Sequence, residues 1–300
     1  MGSGYFLGVD VGSASVRAGV FDASGKRLAF ATHAISQFRP GPERVEQSSA
    51  EIWQQVCQAV KEAVSSSGVR IEETRALGFD ATCSLVALDE QGRGLAVSPG
   101  EPSDHNIIMW MDHRAAAETA AINATQDPAL AYVGGEVSIE MELPKVLWIK
   151  QNHPDRYAAT WRFFDLADYL VWRLADADIA SVCTLTCKWN YLAHENRFSE
   201  TLLSGVGLSD IVGKVPPHVL PLGSAAGKLS PRAAAELGLP PGVVVATGII
   251  DAHAGGLALV STAPQGSLAI IGGTSNCHMA VSADPVMVPG VWGPYFGAML

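Results

Sequence analysis

Basic residues are scarce in this chain. Twenty Lys and Arg stand against 30 Asp and Glu, a formal net charge of −10 over 300 residues. Nucleic acid and anionic membrane surfaces both require a basic stripe, so this balance excludes them as main partners. Cysteine is also sparse. The five, at 57, 83, 183, 187 and 277, form an odd set with no C-x-x-C pair. They read as reduced thiols of a cytoplasmic protein, not as a disulfide framework. Cys183 and Cys187 have the spacing of two ligands on one helical turn, but no second Cys/His pair lies near them in sequence, so structural zinc is not expected.

A secretory signal is missing as well: MGSGYFLGVD has no charged region followed by a long apolar run. The nearest approach to a membrane span is VVVATGIIDAHAGGLALV at 243–260, which contains Asp251 and His253. A carboxylate at the centre of a spanning helix costs about 2.5–3.5 kcal/mol, so the stretch reads as a strand, an acidic turn and a helix.

What is present is a large apolar fraction. At 48% hydrophobic residues the chain can bury a sizeable core, and 300 residues favour two domains. The opening YFLGVDVGSASVRAGVFDASGKRLAFATHAIS predicts a meander of three antiparallel strands, turned at GSAS and DASGK. SSAEIWQQVCQAVKEAV then predicts a helix, with Ser48 and Glu51 as a capping box and apolar residues at helical spacing. IEETRALGFDA returns to a strand. RAAAETAAINA, ELPKVLWIKQN and FFDLADYLVWRLA predict a mainly helical middle. The Pro- and Gly-rich stretch 215–242 looks like a connection between domains. SLAIIGGTSNCHMAVS reads as a second strand–glycine turn–strand unit. The sequence stops at GPYFGAML without a polar tail or helix stop, which reads as a fragment of a longer protein.

Three places carry candidate chemistry. In Asp10-Val-Gly-Ser-Ala-Ser-Val-Arg17, a strand ends at an aspartate, Gly12 relaxes the backbone, and Ser13 and Ser15 offer hydroxyls. Such a turn suits a phosphate cradle with Asp10 on Mg²⁺, or an ordinary hairpin. Asp251, between a buried strand and a helix, suits a general base or a plain helix cap. Gly272-Gly273-Thr274-Ser275 is a second glycine turn with two hydroxyls. Residues 78–94, GFDATCSLVALDEQGRG, add a polar turn where another strand ends.

These signals in this order, with MWMDHRA, LPKVLWIK, FDLADYLVWRL, CTLTCKWNY, GIIDAHAGG and GGTSNCHM, resemble the FGGY family of carbohydrate kinases, most closely its pentulose kinase branch and the D-ribulokinases. Ala81-Thr82 stands where glycerol kinases usually carry an Arg-Glu pair. The resemblance implies an α/β fold of the actin/hexokinase-like ATPase kind with a ribonuclease-H-like core. It implies an N-terminal sugar-binding domain over 1–245 and the beginning of a C-terminal domain over 246–300. It further implies transfer of phosphate from ATP, with Mg²⁺, to a terminal hydroxyl of a pentulose or pentitol. Asp251 would be the catalytic base and also touch the sugar. Ala81, Thr82, Trp110, Asp112, Arg114 and Lys188 would bind sugar. Gly12, Ser13, Ser15, Arg17, Gly273, Thr274 and Ser275 would hold the nucleotide phosphates, and Asp10 the metal. Related kinases often form homodimers. Two other readings remain: a non-catalytic sugar binder, and a hydrolase pairing Asp251 with Asp80 or Asp112.

Overall fold

The computed structural model describes residues 4–98, 100, 102, 104–272 and 276–300. The expected meander is present as β1 (Tyr5–Val11), β2 (Ser15–Asp22) and β3 (Arg27–Ala34), paired antiparallel in chain order. At the β2–β3 turn, Asp22 Oδ1 accepts the N–H groups of Ser24 (2.8 Å) and Lys26 (3.1 Å). Short β4 (Glu46–Gln47) precedes α1 (Ser49–Ser67), which begins where Ser48 Oγ accepts the Glu51 N–H at 3.2 Å. The predicted capping box is only half formed. The Glu51 carboxylate instead accepts from Ser36, from its N–H at 3.0 Å and its hydroxyl at 2.8 Å. Gly68 ends α1 at φ +70°, the left-handed conformation that costs glycine least. Ile52, Val56, Ala59, Val60 and Ala63 bury one face of α1 in the main core.

Next, β5 (Thr74–Ala81) pairs parallel with β1. It is followed by β6 (Leu85–Leu88), β7 (Ile107–Ile108), α2 (Ala116–Ala124), α3 (Glu142–Asn152), α4 (Pro154–Ala159), β8 (Arg162–Asp165) and α5 (Leu166–Ala175). The three predicted middle helices are α2, α3 and α5. Periodicity did not show the two-residue strands among them, because so short a run has no period. β4, β7, β6 and β8 form a second sheet. The chain continues through β9 (Ile179–Ser181), α6 (Val182–Lys188), β10 (Tyr191–Leu192), β11 (Arg197–Phe198) and α7 (Glu200–Gly205).

The Pro/Gly-rich stretch 215–242 is not a free connection. It supplies β12 (His218–Leu220), which pairs with β9, then β13 (Ala225–Lys228) and α8 (Pro231–Leu237). Pro231 occupies the first turn of α8, where its missing N–H costs nothing. Leu229, Ala233, Leu237 and Leu239 are buried in the same core as α1. β14 (Val244–Ala246) and β15 (Ile249–Ile250) then both run parallel to β5, and α9 (Asp251–Val260) follows at once. The main sheet has the order β13-β14-β5-β1-β2-β3, the ribonuclease-H-like arrangement that the resemblance implied. The predicted second hairpin is β16 (Leu268–Gly272) with β17 (Asn276–Ala280). Beyond it the chain returns to the first part. The N–H of Gly290 donates to Gly134 O (2.8 Å) and that of Gly293 to Tyr132 O (2.9 Å). A Cβ on Gly134 would lie 2.9 Å from Val291 N, so only glycine permits this approach. Among the described residues, no helix is long and apolar enough to cross a membrane.

At Gly248, between β14 and β15, the chain touches α5. An added Cβ would sit 3.0 Å from the Cβ, C and O atoms of Ala167. Gly248→Ala is therefore expected to destabilise the protein by about 1–3 kcal/mol through overpacking. Gly213→Ala, whose Cβ would meet nothing within 4 Å, should stay within about 0.5 kcal/mol. Urea unfolding midpoints measure both, and equal midpoints would contradict the close contact.

Candidate functional site

The register of the central strands assembles the site. Asp10 on β1 lies opposite Asp80 on β5, and on its other side Asp80 pairs with Ile249 of β15. Asp251, the first residue of α9, comes two residues later. Three carboxylates thus gather where the parallel strands end, the usual ligand-binding edge of an open α/β sheet. Asp251 is not a helix cap: Ile250 holds that position, and Asp251 Oδ1 accepts the Ala252 N–H at 2.7 Å. Burial, then the negative charges of Asp10 and Asp251, hold the Asp80 carboxyl up at about 8. Asp10 is also raised. Burial dominates there, opposed by the Arg17 guanidinium at 2.9 Å and reinforced by Asp251. Asp10 Oδ1 is buried and has no hydrogen-bond partner.

Around these carboxylates, hydrogen bonds tie three remote segments together. Thr82 N–H donates to Val11 O at 3.0 Å, joining the DATCS turn to the end of β1. Trp110 donates its indole N–H to Ser13 Oγ (2.9 Å) and its backbone N–H to Ser84 Oγ (3.2 Å). Trp110 also packs on the cluster of Cys83, Cys183, Cys187 and Ile250. Gly12 donates its N–H to Ser15 O at 3.0 Å, and its missing Cβ leaves space for Arg17 Nη2. Ser15 is half-buried, Ala81 fully buried and Thr82 nearly so.

Lys188, at the end of α6, is buried with its Nζ 4.9 Å from the centre of the Trp292 ring. Burial alone would lower its pKa. The Cys83 sulfur and the carboxylates of Glu140 and Glu142 outweigh that and leave it raised. Burial pushes the Cys83 thiol up to about 12, so at neutral pH it is uncharged and the carboxylates are the effective partners. Glu142 is itself held up at about 7 by burial, against the pull of Lys145 and Lys188. Lys145 Nζ lies 3.5 Å from Glu142 Oε1, both without solvent exposure.

Asp112 and Arg114 pair with each other, and Asp112 lies close enough to help raise the Glu142 carboxyl. Asp112 Oδ1 accepts from Arg114 N–H (3.0 Å) and Nε (2.8 Å), and Oδ2 from Val45 N–H (2.6 Å) and Arg114 Nη2 (2.6 Å). Arg114 also reaches Glu46 Oε1 (2.9 Å) and Ser98 Oγ (3.0 Å) and lies over the Trp148 ring. Both carboxylate oxygens are occupied inside the protein, so this pair anchors the Trp110 loop. Gly273, Thr274 and Ser275 lie outside the described residues. A hollow of about 690 Å³ lined by Leu185, Tyr191, Phe198 and Val219 contains none of the candidate residues.

The sequence suggests Asp80 only as part of a hydrolase pair, although GFDAT repeats the strand–Asp–turn pattern of GVDVG. Glu142 and Lys145 were missed. Their signal is an i,i+3 charge pair in a helix whose neighbours are apolar. Cys183 and Cys187 have no second Cys/His pair near them in sequence, but the fold brings His253 Nε2 to 3.3 Å from Cys187 Sγ. That residue is 66 positions away, so sequence spacing could not show it.

Residues 5–258 match the FGGY family of carbohydrate kinases, N-terminal domain. The human FGGY carbohydrate kinase domain-containing protein is 45% identical over 99% of this chain and 56% of its own length. A D-ribulokinase of Saccharomyces cerevisiae is 38% identical over 97% of this chain and 46% of its own. The solved structure of a xylulose kinase from Rhodospirillum rubrum matches with a TM-score of 0.81 at 22% identity, over 95% of this chain and 59% of that one. The chain spans about half the length of the curated relatives it matches. With the sheet order described above, these matches place the chain in the FGGY family of carbohydrate kinases, with its actin/hexokinase-like ATPase fold.

Proposed function

We propose that this chain carries the sugar-binding and catalytic half of an ATP-dependent kinase acting in the cytoplasm on a pentulose or pentitol, with D-ribulose to D-ribulose 5-phosphate as the preferred reaction. The observation that carries the proposal is Asp251 at the start of α9, beside Asp10 and Asp80 at the end of the central strands. The similarity to a D-ribulokinase supports the choice of sugar.

In this reading Asp251 accepts the proton of the attacking hydroxyl. Lys188 donates to a ketose oxygen, Trp110 faces the carbon side of the sugar, and Ala81 and Thr82 form the floor. Asp112 and Arg114 hold Trp110 in place. Gly12, Ser13, Ser15 and Arg17, with Gly273, Thr274 and Ser275, bind the phosphates of ATP. Hard oxygen donors and the unpartnered Asp10 Oδ1 fit Mg²⁺. When bound, the ion would neutralise phosphate charge. Positioning supplies most of the rest of the rate in such transfers. Because the chain spans about half of its relatives, a sugar binder without turnover is the second reading.

An ADP-release assay with D-ribulose, xylulose and ribitol tests the activity, and Asp251→Asn tests the mechanism. The variant should lose at least about 10²-fold in kcat while calorimetry shows unchanged sugar binding. Sugar binding without ATP binding in the parent would favour the binder, and a variant near full turnover would remove Asp251 from its role.

The raised carboxyls give a pH prediction. With Asp80 near 8 when folded and near 3.9 when unfolded, the folded state holds an extra proton between these values. Stability from this group is therefore greatest below about pH 4 and declines as pH rises towards 8. Asp80→Asn should flatten that decline in urea midpoints taken between pH 5 and 8. Mg²⁺ should stabilise the parent more at pH 8 than at pH 5, since it competes with the proton. An unchanged slope in the variant would show that Asp80 ionises normally.

A further inference from the structure

Four of the five thiols lie near the candidate site, and two of them meet a histidine from another element. Cys183 and Cys187 are one turn apart on α6, and His253 is in the first turn of α9. Their ligand atoms lie within 4.8 Å of one another. The Cys187 Sγ to His253 Nε2 distance is 3.3 Å. Tetrahedral zinc, with Zn–S near 2.3 Å and Zn–N near 2.0 Å, spaces such atoms about 3.5–3.8 Å apart. Small side-chain shifts would therefore seat an ion.

A further observation points to a ligand. The Tyr295 hydroxyl is buried and unpartnered, and its ring packs against the cluster containing both cysteines. A buried polar atom without a partner is costly, and the water that completes a cation's coordination would satisfy it. The phosphate-transfer reading uses neither thiol nor the imidazole, so that chemistry does not explain them.

We propose that Cys183, Cys187 and His253 form a site for one thiophilic divalent cation of the zinc class, joining α6 to α9. Two sulfurs and an imidazole select such an ion over Mg²⁺. Binding forms two metal–sulfur bonds and one metal–nitrogen bond and releases the two thiol protons to solvent, with no change of oxidation state. Three protein ligands leave the fourth position to water. The site adjoins Lys188, next to Cys187, and Asp251, two residues before His253, so occupancy fixes the spacing of the helices that carry them.

The test is titration of the reduced, metal-free chain with Co²⁺, followed by displacement with Zn²⁺. One equivalent of Co²⁺ should produce thiolate-to-cobalt charge-transfer bands and the intense visible bands of tetrahedral cobalt, and Zn²⁺ should abolish them. Cys187→Ser and His253→Gln should each weaken binding at least about tenfold, while Cys57→Ser, far from the cluster, should keep it. Circular dichroism checks folding; if the cysteine variant unfolds, the half-buried His253→Gln decides. Absence of a stoichiometric cobalt spectrum, or its survival in His253→Gln, overturns the proposal, as does equal loss in Cys57→Ser.

Discussion

The register between β1, β5 and β15 is the constraint on which the site rests. Asp10 and Asp80 stand side by side only because Val9 is opposite Phe79 and Val11 opposite Ala81. Those residues, with Leu7 and Leu77, are buried in the main core, while Asp10 and Asp80 occupy the alternate, half-exposed positions. A slip of one residue would put the carboxylates into the core and the aliphatic side chains at the edge. Hydrophobic burial at about 25 cal/mol per Å² is thus what holds two mutually repelling acids together. Burial is the first cause of the raised Asp80 and Asp10 carboxyls, and the charge of Asp10 adds to it at Asp80.

A second layer of order comes from charges that never reach solvent. Asp112, Arg114 and Glu46 form an enclosed ion-pair network with side chains 0–1% exposed. Such networks add little net stability, because desolvation offsets attraction, but losing one member is costly. Here the network fixes the chain on either side of Trp110, whose two hydrogen bonds then hold the β1–β2 turn against the DATCS turn. Glu142 and Lys145 repeat the pattern beneath Lys188. Buried charge in this protein sets geometry.

Much of this was legible in the sequence, for reasons that differ by element. The β1–β3 meander and α1 follow from turn residues and local periodicity, and Asp251 was marked by an abrupt charge in an apolar run. The stretch 215–242 misled because its prolines and glycines do punctuate it, yet Leu229, Leu237 and Leu239 still dock on the core. Asp112 looked available because a sequence shows a carboxylate but not the donors around it. The meeting of Cys187 with His253 depends wholly on how α6 and α9 are placed, which no local pattern encodes.

The return of residues 290–293 to the Tyr132–Gly134 turn bears on how the molecule can move. Two main-chain hydrogen bonds and a glycine contact fasten the segment that follows β17, and Trp292 lies over Lys188. Any swing of the β16–β17 hairpin, which packs on α9, must either drag this strap along or unzip it. Unzipping would uncover the ammonium group of Lys188 and strip its aromatic lid. The tryptophan would then face water where it now faces a cation, so its emission would report whether the strap is fastened.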